Sequence, residues 1–266
     1  MGTVQGVYMK YVLLSASSYS ALYCLQPPDE ELEAIGLFYA SLLWMLVYTA
    51  ILNGIIAVLF WCERGMSILG KDPSTGQVPA WSYTLFAGFH FPTWLYTCVQ
   101  RLRDRRVGVA VADEVAPGWW LGGRYGHELG RSWAGIIDLT CEFPETCQRA
   151  SNDSYLLVRC WDGVPPTAVQ LEQAAEFATK RRKHGNVIVH CAHGRGRSTT
   201  TMCACLVKWG LYKDWEEAFH AVKKSRPVVK LNSKMRRALT QWQDKFVAGA
   251  AVGDELMPTA LHRKRP

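Results

Sequence analysis

The chain has 266 residues, of which 49% are hydrophobic and 20% are charged, and its formal net charge at pH 7 is +7. This modest positive charge, without an array of interleaved basic and aromatic residues, disfavours nucleic acid as a partner and suits phosphorylated substrates or an anionic membrane surface. The nine cysteines are odd in number and irregularly spaced, so the chain is not a disulfide scaffold, and we expect neither a metal site nor a cofactor.

The N-terminal segment, residues 1–33, contains a weakly apolar stretch after Lys10. Its serines make it a marginal candidate for an extra membrane span, and the core of a signal peptide is the alternative. The segment by itself therefore leaves the number of spans open.

Residues 34–62 form an apolar run without a single charge, AIGLFYASLLWMLVYTAILNGIIAVLFWC. The run is longer than the roughly 20 residues that a helix needs to cross a bilayer. Buried helices of soluble proteins seldom lack a polar face over such a length, so we predict a transmembrane helix.

The next stretch divides into a polar and an apolar part. Residues 63–78 contain proline and glycine turn signals and are predicted to form a loop. Residues 79–100 are uncharged, which predicts a second transmembrane helix, with an interfacial or re-entrant segment as the alternative because His90 and Pro92 interrupt the run.

A basic juxtamembrane linker follows over residues 101–109 and carries four arginines in the stretch RLRDRR. Positive charge beside a span marks the cytoplasmic side. We therefore predict a multi-pass integral membrane protein whose later residues face the cytoplasm. The membrane itself is not identified, although Arg263 and Lys264 in the tail over 249–266 faintly resemble an endoplasmic-reticulum retrieval signal.

Residues 110–248 have the pattern of a soluble α/β domain. Strand-like segments alternate with helical ones, which predicts a mainly parallel central sheet flanked by helices. The predicted strands lie at 117–123, 133–140, 154–163 and 186–191, and the predicted helices at 164–185, 197–210, 214–227 and 232–246.

Chemistry concentrates where one predicted strand ends at Cys191 and one predicted helix begins at Arg197. The backbone N–H groups of such a loop and helix N-terminus form an anion site, and glycines permit the close approach. Arg197 can bind two phosphate oxygens, and the positive surroundings favour a Cys191 thiolate that attacks phosphorus. The expected phosphate-binding residues are Ala192, His193, Gly194, Arg195, Gly196 and Arg197.

The reaction also needs an acid for the leaving oxygen and groups that support the loop and the sulfur. Asp162 lies in a loop between a predicted strand and helix and is the expected general acid, with Asp153 and Glu145 as alternatives. Ser198 is expected to donate a hydrogen bond to the sulfur when the sulfur becomes the leaving group, and His190 is expected to order the loop.

The stretch from His190 to Ser198 resembles the Cys-x5-Arg-Ser/Thr signature of the protein tyrosine phosphatase superfamily. The resemblance extends from about residue 115 to 246 and includes the segments WLGG, GIIDLT, VHC and KKSRPVV. The small size is similar to the dual-specificity branch. The resemblance implies hydrolysis of phosphomonoesters without a metal, through a phosphocysteine on Cys191, with Arg197 on the phosphate and Asp162 as acid. The acid loop, CWDGVPP, departs from the Trp-Pro-Asp of tyrosine-specific members.

The substrate stays open between a phosphoprotein and a phospholipid head group. His193 and Arg195 add basic side chains to the loop, as in lipid phosphatases of the superfamily, but both can instead be solvated or paired with acidic neighbours. A membrane-anchored module that binds phosphate without turnover is the alternative function. RNA triphosphatases also share the H-C-x-H-G opening, but a membrane anchor disfavours that activity.

Overall fold

The structure is a computed structural model that describes residues 4–25 and 36–248. The predicted tail over 249–266, with Arg263 and Lys264, lies outside the described residues. Four helices come before the α/β domain: α1 (Val4–Leu25), α2 (Leu37–Trp61), α3 (Ala80–Leu85) and α4 (Ala87–Arg106).

The α/β domain begins at β1 and ends in a π-helical turn over Asp244–Ala248. Its strands are β1 (Ala112–Ala116), β2 (Trp119–Gly123), β3 (Ser132–Trp133), β4 (Gly135–Asp138), β5 (Gln148–Arg149), β6 (Tyr155–Leu157) and β7 (Val187–Cys191). Its α-helices are α5 (Ala168–Arg182), α6 (Arg197–Lys208), α7 (Trp215–Ser225) and α8 (Ser233–Gln243).

Five strands form the central sheet in the order β1-β2-β7-β4-β6. The pairs β2–β7, β7–β4 and β4–β6 are parallel, which confirms the mainly parallel sheet. Strand β1 pairs antiparallel with β2 and makes the sheet mixed at this edge. Its polar sequence, ADEVA, gave no strand pattern, because an edge strand buries few of its side chains.

The central strand β7 is buried along its whole length, since helices cover both faces of the sheet. Helix α5 begins with a capping box between Thr167 and Gln170, which satisfies two backbone donors at its first turn. Helix α6 begins directly at Arg197 and is buried from that residue to Val207. The C-terminal end of β7 and the N-terminus of α6 are therefore both buried, and they flank the loop between Cys191 and Arg197.

Helices α1 and α2 pack against each other along their lengths. The Ser15 hydroxyl donates a hydrogen bond of 2.7 Å to the Ala50 carbonyl. A Cβ on Gly54 would lie 3.3 Å from the Ser15 Oγ, so small residues bring the two helices close. Among the described residues, α2 is the one helix long and apolar enough to cross a membrane, with a mean hydropathy of 2.2.

The loop over 63–78 is bound to the α/β domain. The Lys71 ammonium forms an ion pair with Asp138, and both side chains are fully buried. The backbone N–H of Glu145 donates to the Gly76 carbonyl at 2.9 Å. The loop therefore lies on the same side of any membrane as the domain.

The predicted second transmembrane helix over 79–100 is not one continuous helix in the structure. This segment breaks at Phe86 into α3 and α4, and its Phe89 side chain is buried against the rest of the protein. Its two ends continue into the domain-bound loop and into β1, so both lie on the domain side. Phe86 and Phe89 are buried, whereas Trp81, Phe91 and Trp94 are exposed, so the uncharged run combines packing against the protein with exposed apolar surface.

Candidate active site

The loop between β7 and α6 has the backbone that an anion site needs. Gly194 has φ +67, and a Cβ there would lie 2.4 Å from the backbone carbon of Gly122. Another residue type at this position would have to move β2, so the sequence must have glycine here. The predicted loop residues 191–197 are thus brought together as one compact turn.

Arg226 binds the outside of this turn and is almost fully buried. Its Nε donates to the Gly194 carbonyl at 2.9 Å and its Nη2 to the His193 carbonyl at 3.3 Å, while Asp113 neutralises its charge. Because these carbonyls face outward, the N–H groups of the adjoining peptides are free to face the cavity. Arg226 was not predicted as a site residue, and only its place in KKSRPVV signalled it.

Cys191 has the surroundings of a thiolate. Its Sγ lies 3.3 Å from the Ser198 Oγ, as expected from the sequence. Burial by itself would raise the pKa of the Cys191 thiol, but Arg197, the Ser198 hydroxyl and backbone N–H groups together lower that pKa below its ordinary value.

Arg197 is held in place from three sides. Its Nη1 donates to the carbonyls of Leu139, at 3.0 Å, and Cys160, at 2.8 Å. Its Nη2 donates to Glu142 Oε1 at 2.8 Å, in an ion pair that is almost fully buried. The sequence did not identify Glu142, because a glutamate in a loop after a strand carries no distinguishing pattern. Its contacts pre-orient the guanidinium for phosphate.

Asp162 is the second carboxylate beside Arg197, after Glu142, and its Oδ1 lies 3.4 Å from the guanidinium Nη2. Burial would raise the pKa of Asp162, but the attraction of Arg197 and His193 lowers it. The two alternatives lie elsewhere, since Asp153 pairs with Arg181 and Glu145 pairs with His190.

His190 supports the loop from inside the sheet. Its Nε2 lies 2.7 Å from Glu145 Oε2, and both side chains are buried. Burial would lower the pKa of His190, but the Glu145 carboxylate outweighs burial and raises that pKa. The ligand atoms of Glu145, Cys147 and His190 lie within 4.8 Å of one another, the spacing of a metal site. The Glu145 carboxylate already accepts from His190 and from the Cys147 N–H, so hydrogen bonds account for this cluster.

The two extra basic residues of the loop have partners of their own. Arg195 forms an ion pair with Asp104 of α4. His193 lies with its ring edge-on to Tyr96, at 5.7 Å between centroids, and burial lowers the pKa of its imidazole. The charge of Arg195 is therefore compensated by Asp104.

The loop opens into a cavity of about 560 Å³, lined by Asp162, Cys191 and Arg197. Basic side chains from the C-terminal part of the domain also line it: Lys223, Lys230 and Arg236. These three were not predicted as site residues, because the fold and not the sequence spacing brings them to the loop. The cavity thus combines a nucleophile, a phosphate-binding arginine, a carboxyl group and further positive charge.

Residues 134–245 match the family model described as the catalytic domain of dual specificity phosphatases. Over these residues the chain matches the dual-specificity branch of the protein tyrosine phosphatase superfamily.

Among curated proteins, the rat and mouse phosphatidylglycerophosphatase and protein-tyrosine phosphatase 1 are 33% identical to this chain over 89 residues. That stretch is 32% of this chain and 45% of each relative, so the match spans less than half of the relatives' length. Similar solved structures include human DUSP28, with a TM-score of 0.43 and 21% identity over 51% of this chain and 94% of that one. Another is PTPMT1, with a TM-score of 0.44 and 24% identity over 53% of this chain and 99% of that one.

Proposed function

We propose that the protein hydrolyses phosphomonoesters through a phosphocysteine intermediate. One observation carries the proposal: Cys191, Arg197 and Asp162 meet at one cavity, although Asp162 comes from a separate loop. A module that only binds phosphate would need Glu142 to hold the arginine but no second, more exposed carboxyl group in the cavity, since a carboxylate there repels phosphate.

In the first step the Cys191 thiolate attacks phosphorus, and an S–P bond forms while the P–O bond to the leaving group breaks. The leaving oxygen takes the electron pair of that bond and a proton from Asp162. Arg197 and the loop N–H groups stabilise the charge on the three remaining oxygens.

In the second step water attacks the phosphocysteine, and Asp162 accepts a proton from that water. The S–P bond breaks, and its electron pair returns to sulfur as thiolate. The Ser198 hydroxyl, 3.3 Å from the sulfur, donates to the developing negative charge and helps it leave.

The test uses the full chain purified in detergent under reducing conditions, with an aryl phosphate as substrate. Wild type should turn over, and Cys191→Ser should remove all enzymatic turnover while Cys62→Ser, at an exposed thiol, leaves it intact. The proposal is wrong if wild type and Cys191→Ser are equally inactive. If Asp162→Asn leaves the turnover of an alkyl phosphate unchanged, Asp162 is not the general acid.

We further infer that helices α1 and α2 anchor the protein in a membrane as a hairpin, with the N-terminus and the domain on its cytoplasmic side. The end of α2 away from the domain is exposed, with Leu37 and Phe38 each 86% accessible. A contiguous apolar surface of this kind is unfavourable in water and marks a membrane or protein contact. Alkaline extraction of membranes tests the anchor: the full chain should stay in the pellet, and its release into solution would contradict the proposal.

For the substrate we propose a phospholipid with a terminal phosphate. Tyr96 of α4 lines the catalytic cavity, while Leu95 and Val99 on neighbouring turns are exposed, so apolar surface continues from the cavity mouth. Lys10 of α1 adds an ammonium 5.5 Å from the Tyr96 ring. The name of the 33% identical relatives includes a lipid phosphatase activity.

A substrate panel decides between the classes. Phosphatidylglycerophosphate and monophosphorylated inositol lipids in mixed micelles are compared with phosphotyrosine and phosphothreonine peptides. Tyr96→Ala should reduce kcat/KM for the lipids about tenfold and leave peptide and aryl phosphate turnover within about twofold. Higher kcat/KM for the peptides, unchanged by Tyr96→Ala, would make the protein a phosphoprotein phosphatase instead.

A further inference from the structure

Trp161, the residue before Asp162, is fully buried between the N-terminal helices and the catalytic domain. Its ring stacks on Phe60 near the end of α2, with centroids 4.4 Å apart and planes at 27°. Phe89 of α4 meets it edge-on at 5.9 Å. The Trp161 Nε1 donates to the Arg64 carbonyl at 2.7 Å, which fixes the ring in its plane.

Helix α1 completes this cluster through Tyr11. The Tyr11 ring lies 5.1 Å from that of Phe60 and 5.6 Å from that of Phe89, and it is 2% exposed. Three helices outside the family-matched region thus converge on one residue of the acid loop. We call Tyr11, Phe60, Phe89 and Trp161 the aromatic clamp.

The other side of the acid loop is bound to the catalytic domain. The Asn232 side chain donates to the Gly163 carbonyl at 2.9 Å, while within the loop the Val164 N–H closes a turn on the Trp161 carbonyl at 3.0 Å. Asp162 lies in this turn, between the clamped Trp161 and the bound Gly163, and its side chain is 43% exposed. Because Trp161 and Asp162 are consecutive, displacement of the indole would displace the carboxyl group.

We propose that the aromatic clamp positions Asp162 for proton transfer, so that the N-terminal helices complete the active site. This inference rests on the proposed phosphatase function. Tyr11, Phe60 and Phe89 are positioning residues, since they act on the leaving group only through Trp161 and Asp162. Proton donation then depends on the packing of the anchor, whereas attack by Cys191 does not.

Proton donation by Asp162 and attack by Cys191 can be tested separately by changing the leaving group of the substrate. A dinitrophenolate departs as a stable anion and needs little help from an acid, whereas the alkoxide from glycerol phosphate must be protonated as its P–O bond breaks. Loss of the clamp should therefore slow alkyl phosphates selectively. A variant that merely unfolds part of the active protein would slow both substrates by the same factor.

The experiment compares Phe60→Ala with Phe38→Ala in the full chain in detergent. Phe38 is the matched control, since it lies on the same helix and is 86% exposed. With glycerol phosphate, Phe60→Ala should lower kcat about 10²-fold, as Asp162→Asn does, and with dinitrophenyl phosphate by about threefold or less. Phe38→Ala should match wild type on both substrates.

Two further measurements keep the test decisive. Phe60→Ala in an Asp162→Asn background should cause no additional loss with glycerol phosphate, because both changes remove the same proton transfer. Phe60→Leu should restore part of the activity, and it replaces Phe60→Ala if the latter does not fold. Equal loss on both substrates, or an additive double variant, overturns the clamp. Wild type that hydrolyses neither substrate overturns the phosphatase function itself.

Discussion

The Cys191–Arg197 loop and the N-terminal helices border the same cavity, yet different forces hold them. The loop is fixed by hydrogen bonds and buried ion pairs, chiefly those of Arg226 and Glu142. The aromatic packing of the helices on Trp161 is supplemented by polar attachments to the domain, among them the buried Lys71–Asp138 pair of the loop over 63–78 and the Arg195–Asp104 pair of α4. Directional bonds fix the groups that bind phosphate, whereas packing sets the position of the acid. The first set should therefore survive changes in the anchor that disturb the second.

The largest expected effect concerns the attachment of the loop over 63–78. Lys71→Met leaves Asp138 as a buried carboxylate without its counter-charge, which should lower the free energy of unfolding by about 3–5 kcal/mol. Thermal unfolding in detergent measures the change. Asp138→Asn in the same chain should restore part of the stability, and Lys213→Met, at an exposed side chain, should be neutral. A neutral Lys71→Met would mean that this loop is not part of the folded domain.

The pH dependence of activity tests whether Cys191 sets the rising, acidic limb and Asp162 the falling, alkaline limb. The pKa of Cys191 is lowered, so activity should rise as pH rises through that pKa and thiolate forms. Bound phosphate dianion neutralises Arg197 and repels the Asp162 carboxylate, so the pKa of Asp162 should be higher in the complex than in the free enzyme. Activity then falls as pH rises through that higher pKa. With an alkyl phosphate, Asp162→Asn should remove the falling limb and lower kcat about 10²-fold. A limb that persists in this variant would belong to another group.

A smaller effect is expected at the glutamate behind the phosphate-binding arginine. Glu142→Gln keeps a hydrogen bond to Arg197 but removes the ion pair, and should lower kcat/KM for an aryl phosphate about tenfold. Glu128→Gln, which weakens partly exposed pairs with Arg101 and Arg105, is the control and should change kcat/KM by less than about twofold. Equal effects in the two variants would show that Glu142 does not orient the guanidinium.

The smallest effect is expected for Arg195, although it lies inside the signature loop. Its guanidinium pairs with Asp104 and is 36% exposed, so Arg195→Ala should lower kcat/KM for lipid and aryl phosphates alike by about threefold or less. Activity against micellar phospholipid and a soluble aryl phosphate measures both. A loss confined to lipid would show that Arg195 leaves Asp104 to bind a second anionic group.

The placement of the proposed catalytic groups was predictable because the loop is a local structure. Cys191, Arg197 and Ser198 lie within eight residues, so spacing alone specifies their relation to the strand end and the helix N-terminus. Asp162 was predictable from its place between a strand and a helix. Each of these depends on short-range geometry that a sequence shows directly.

The residues that support this loop were not predictable, because each reaches it across the fold. Glu142 and Arg226 are charged residues in connecting segments, and their burial becomes visible only once β1, β4 and α7 are assembled. The break of the segment 79–100 at Phe86 was not predictable for a related reason. An uncharged run is equally compatible with lipid and with a protein surface, and the attachment of Lys71 to Asp138, which holds the preceding loop on the domain, becomes visible only in the fold.

The connection from α4 to β1 comprises only residues 107–111. Five residues span at most about 17–18 Å, so α4 cannot move far from the catalytic domain. Phe89 of α4 in turn packs against Tyr11 of the proposed anchor, with ring centroids 5.6 Å apart, so the anchor and the domain are held together without slack. The cavity would then stay at a fixed distance from the bilayer surface and could not move to reach substrates farther out in solution. Its substrates must reach it by diffusing within the plane of the membrane or by projecting their phosphates to that height. The geometry makes depth as well as chemistry a criterion for selecting substrates.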